Sequence, residues 1–119
     1  MPISIQPSAT RPARSYPGGS RITWTSHARS KLRQYGLSPT RVLRVIRRPQ
    51  RVEEGIAPET VAVMQPTSPK HTSEIWAMYQ TSNPPGQLTI ITAWRYPAKS
   101  PVRSPIPIPE DIRALLHQS

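Results

Sequence analysis

The chain has 119 residues, 16 Lys and Arg against 6 Asp and Glu, a net charge of +10, 16 prolines and no cysteine. That length holds one compact domain, and so many prolines make the folded unit smaller than the chain. The missing cysteines exclude disulfides, thiolate nucleophiles and cysteine-bound zinc or iron–sulfur centres. The apolar runs fall short of the roughly 18 residues that span a bilayer, so a cytoplasmic protein with no membrane partner is expected.

Residues 1–20, with Pro2, Pro7, Pro12 and Pro17 among small polar residues and Arg11 and Arg14, read as a basic flexible arm. A compact domain is expected over 21–96. It opens with a strand at 21–24, where Ile22 and Trp24 share a face. Thr25 or Ser26 then caps a helix over 26–35 with Ala28, Leu32 and Tyr35 on one side, and Gly36 ends it. Ser38-Pro39 starts a second helix that runs to about Arg48, before Pro49. Val42, Val45 and Ile46 mark its inner face, while Arg41, Arg44 and Arg48 line the other side.

The period then changes from helical to two. Residues 60–65, 73–80 and 87–95 read as three strands of an antiparallel meander, and 51–53 as a short edge strand. In the middle strand Ser73, Ile75, Ala77 and Tyr79 face one way, Glu74, Trp76 and Met78 the other. Both faces are partly apolar, which suits helices on one side and terminal segments or a second subunit on the other. Residues 97–119 comprise a proline-rich linker that wraps the domain and a last short helix opening at Pro109-Glu110-Asp111. Its strip of Ile112, Leu115 and Leu116 is expected on the domain's own sheet rather than on a second copy. The fold class is therefore α+β, two helices packed on a small antiparallel sheet with a short C-terminal helix.

Eight of the basic residues and no acid fall between Arg21 and Arg48, which makes the helical pair a polyanion-binding face. Arg29, Arg33, Arg41, Arg44, Arg47 and Arg48 are the residues placed to hold a nucleic-acid backbone, with Tyr79 and Tyr96 as base-stacking groups. The six acids are scattered and suggest no metal site, and no cofactor is expected. RNA cleavage without metal needs only a base for the 2′-hydroxyl, an acid for the leaving oxygen and cations over the phosphorane. His27, one turn before Lys31 on the same helix side, is the candidate base or acid, beside a structural or phosphate-contact role, and Lys31 and Arg95 are the candidate charge stabilisers, Arg95 equally readable as a fold-stabilising residue. His71, in a proline-flanked loop, reads as a surface residue. The three tryptophans read as packing residues.

The strand Ile22–Trp24, His27-Ala28 at a helix start, the Gly36-Leu37-Ser38 turn, Pro49 and the late strand 88–95 containing Thr92 together resemble small proteins related to BrnT-type and RelE-type toxins. The resemblance spans residues 21–96. It implies an α+β endoribonuclease of the mRNA-interferase kind, neutralised by an acidic antitoxin and acting on RNA or at the ribosome. Lys31 and Tyr35 stand where the family pattern favours arginine, which removes the bidentate fork at one position and the charge at the other. Three functions stay open at this point: an RNA-cleaving toxin, a non-enzymatic nucleic-acid binder, and an assembly module, which includes a homodimer.

Overall fold

A computed structural model describes residues 21–81 and 86–116. The expected arm over 1–20 lies outside the described residues. In chain order the elements are β1 (Arg21–Trp24), α1 (Ser26–Tyr35), α2 (Pro39–Arg47), β2 (Arg51–Glu54), β3 (Val61–Pro66), β4 (Glu74–Thr81), β5 (Gln87–Tyr96) and α3 (Glu110–Leu116). The fold is α+β, with one five-stranded sheet in the order β1-β5-β4-β3-β2.

The sheet is mixed, not purely antiparallel. β2 to β5 form the antiparallel meander, but β1 pairs parallel with the first half of β5, Arg21 opposite Gln87 through Trp24 opposite Ile90. Strand direction depends on where the two helices return the chain, and no local pattern encodes that.

Local chemistry sets the helix limits. Thr25 accepts the Ala28 amide at 3.0 Å and donates its hydroxyl to the Ile91 carbonyl at 3.0 Å, so one side chain caps α1 and moors it to β5. Gly36 ends the helix at φ 65°, a left-handed turn that costs glycine least. Ser38 caps α2 through the Arg41 amide, and Pro39 occupies the first turn.

Two cores lie on opposite faces of the sheet. Ala28, Leu32, Val42, Val45 and Ile46 of the first two helices pack against Val63, Ile75, Ala77, Tyr79, Leu88 and Ile90. On the other face Met64, Trp76, Met78 and Trp94 receive Ile108, Ile112 and Leu116. The C-terminal helix thus docks on its own domain. Trp76 and Trp94 stack in parallel with centroids 5.8 Å apart. The register of β4 and β5 slips between Met78 and Tyr79, leaving Ile91 as the extra residue of a bulge. Ile90 and Ala93 therefore share the helix face while Thr92 and Trp94 turn to the other.

The proline-rich strap over 97–109 is pinned by a buried carboxylate. Glu74 is fully buried, and its two oxygens accept from His71 Nε2 at 2.8 Å, Trp76 Nε1 at 3.0 Å, and the Ser100 amide and hydroxyl at 3.0 and 2.7 Å. Burial raises the pKa of this carboxyl, and the hydrogen bonds from His71, Ser100 and Trp76 outweigh burial and hold it below its ordinary value. Arg51 lies over the Trp76 ring, 5.2 Å from its centroid, and donates to the Ser100 hydroxyl and the Ser104 carbonyl. His71 is not an idle surface residue. It adopts φ 55° in the course of reaching Glu74.

Candidate nucleic-acid interface

The helical pair presents its arginines to solvent with no acid on either helix. Arg29, Arg33, Arg44, Arg47 and Arg48 are exposed. Gln65 organises the sheet side of this face. Its amide nitrogen donates to the Arg48 carbonyl at 2.7 Å, capping the end of α2, and its oxygen accepts from Arg41 at 2.6 Å. Beside it a cavity of about 580 Å³ is lined by Thr40, Arg44, Arg47, Arg48 and Gln65. A shallower one of about 510 Å³ follows the α1–α2 turn past Arg29, Arg33, Leu37 and Pro39.

Arg41 differs from its neighbours. It is half-buried, and its guanidinium is held by Gln65 and by the Pro66 carbonyl at 3.1 Å. Burial, then the charges of Arg44 and Arg95, lower its pKa from the ordinary arginine value. Arg41 therefore pins α2 to the end of β3.

A second constellation sits where β1 stops and α1 takes over as the neighbour of β5. His27 Nε2 is hydrogen-bonded to Thr92 Oγ1 at 2.9 Å. The imidazole pKa is lowered, first by burial and then by Lys31, with Asp111 opposing, which favours the neutral ring. Lys31 is buried, donates to Gln34 at 2.7 Å and forms an ion pair with Asp111 of α3. That hydrogen bond is also the main reason the Asp111 pKa is lowered. The expected phosphate-stabilising ammonium is thus engaged in holding the C-terminal helix, because docking α3 on the tryptophan face brings Asp111 over α1.

Arg95 donates to the Tyr35 carbonyl at 3.3 Å and lines a cavity of about 500 Å³ with Tyr35, Tyr96, Pro97, Pro107, Ile108 and Pro109. Burial, then Asp111, raises the Tyr35 pKa, so its phenol is a neutral donor. His27, Lys31, Tyr35 and Asp111 therefore meet at one edge, with Arg95 adjoining through Tyr35.

Tyr79 does not belong to this surface. It is 1% exposed and packs among Val63, Ile75, Ala77 and Ile90 beneath the helices, so it offers no ring to a base. Asp111, Gln65 and the Tyr35–Tyr96 cavity were not foreseen, because a surface-type Asp, a strand Gln and two distant Tyr carry no local signal of convergence. Among the described residues no group of three or more His, Cys, Asp or Glu is placed to hold a metal ion, and no helix is long and apolar enough to cross a membrane. No protein-family model matches the chain, and no curated protein or solved structure matches it.

Proposed function

We propose that the chain binds RNA through the α1–α2 face, as a toxin-like protein of the BrnT and RelE kind. The carrying observation is the exposed set Arg29, Arg33, Arg44, Arg47 and Arg48, on two helices and the residue that caps the second, with no acid among them. Guanidinium groups spread along one face suit a phosphate backbone, each exchanging condensed counterions for itself, so affinity is salt-dependent and largely sequence-blind. The likeness of residues 21–96 to the toxin pattern gives RNA preference over other polyanions.

A second reading, a metal-independent endoribonuclease, is favoured by one observation: His27, half-buried and hydrogen-bonded to Thr92, lies near Lys31, and burial and that charge lower its pKa. In that reaction the imidazole takes the 2′-hydroxyl proton, the 2′-oxygen attacks phosphorus, and the 5′-oxygen leaves with a proton from Tyr35 or a returned imidazolium. Arg95 steadies the phosphorane charge.

The test is incubation of the protein with labelled single-stranded RNA in EDTA, at low and moderate salt, beside His27→Ala. Retained RNA that is released by salt supports binding. A product formed by wild type and not by His27→Ala, with affinity unchanged, supports cleavage. No retention at low salt refutes both.

A further inference from the structure

The cavity at the end of β5 differs in chemistry from the arginine face beside it. Its walls are two tyrosines, three proline rings and one isoleucine of the strap, and one guanidinium, with no carboxylate among them. Tyr35 and Tyr96 each pack against the second core yet keep part of their surface in the cavity, and both are half-buried. Arg95 is oriented by the Tyr35 carbonyl, and no acid pairs with it among the described residues. Arg95 stands opposite Ile75 and Ile75 opposite Gln65, to which Arg41 is hydrogen-bonded, so a second guanidinium lies two strands away on the same sheet.

Flat apolar walls with a planar cation suit a planar, polar-edged ring better than a phosphate. A base inside a duplex cannot reach such walls, since both its faces are stacked, whereas an unpaired base can be splayed out and stacked on tyrosine. We infer that this cavity holds one unpaired nucleobase of single-stranded RNA, stacked on Tyr96 and Tyr35, with the adjoining phosphate on Arg95 and the backbone continuing over Arg44. The inference rests on the RNA-binding reading and adds strandedness to it. The strap supplies Pro107 and Pro109, so the site is complete only with the C-terminal segment docked.

Fluorescence anisotropy separates the two levels. The full chain is titrated with a short single-stranded oligoribonucleotide, its abasic ribose-phosphate counterpart of equal length, and an RNA duplex. Stacking of one base predicts the single strand to bind about 5- to 140-fold tighter than the abasic chain. Tyr96→Leu abolishes that ratio and leaves the abasic affinity unchanged, whereas Tyr96→Phe retains it. Equal binding of all three ligands by wild type overturns the base site and spares RNA binding, while failure of all three to bind overturns both. Equal weakening of every ligand by Tyr96→Leu also overturns the base site. Should Tyr96→Leu not fold, the wild-type ratio decides alone.

Discussion

Replacing Glu74 with Gln keeps the size of a fully buried side chain and removes its charge, which isolates what the carboxylate does for the strap. Four donors converge on it. Trp76 Nε1 and the Ser100 hydroxyl reach one oxygen, and His71 and the Ser100 amide reach the other. A carboxamide keeps one acceptor and gains a donor. The Ser hydroxyl and the imidazole can reverse their roles, but the indole N–H and the backbone N–H cannot. Whichever way the amide turns, one of those two fixed donors faces another donor. Losing a charge-assisted bond costs about 1.5–3 kcal/mol and leaving a buried donor unpaired about 1–3 kcal/mol, offset in part by relief of the buried charge. A net loss of about 2–4 kcal/mol follows. With an m-value of about 1.5 kcal/mol/M, the urea midpoint read by tryptophan fluorescence falls by about 1.3–2.7 M. Because the folded pKa lies below the unfolded one, this contribution is present above about pH 4.3 and is lost as pH falls through the folded value, so the gap between wild type and variant closes in acid. A midpoint shift under about 0.5 M at neutral pH refutes the four-donor account.

Asp111→Asn breaks the ion pair with Lys31 at a half-exposed carboxylate, so it lowers stability by only about 0.5–1 kcal/mol but speeds amide hydrogen exchange in α3 selectively. The depressed Asp111 pKa makes α3 protection, taken relative to the intrinsic exchange rate at each pH, fall in wild type as pH drops below about 3.9. Unchanged α3 protection in the variant counts against the tether. For Arg44→Gln combined with Arg48→Gln, removing two phosphate contacts flattens the plot of log affinity against log salt by about 1.4 for single-stranded RNA. An unaltered slope places the RNA elsewhere.

Where an element is set by local chemistry, its sequence pattern is enough to find it. Thr25, Gly36 and Ser38-Pro39 delimit both helices, and alternation through Ile75, Trp76, Ala77 and Met78 places each residue on its observed face. The same alternation already puts Tyr79 with Ile75 and Ala77, the face the helices cover, so its reading as a base platform conflicted with its own strand. Long-range features carried no such signal. The parallel β1–β5 pairing depends on the path between them, and the bulge at Ile91 rephases β5 by one residue. Charge alone identifies the basic face. That Lys31 is spoken for, and that Arg95 lines a tyrosine cavity, depends on a helix more than 70 residues downstream and on sheet packing.

The parallel seat of β1 also dictates an order of events during synthesis. Thr25 finds its Ile91 acceptor 66 residues later, and every ladder partner of β1 lies in β5. Loop closure over that span is slow compared with the neighbouring hairpins of the meander, each of which joins consecutive strands. A nascent chain therefore carries Ile22 and Trp24 without their ladder partners until β5 has left the ribosome. During that interval the exposed piece is short, four residues long, and begins with an arginine, features that keep a waiting strand from pairing with a neighbouring chain.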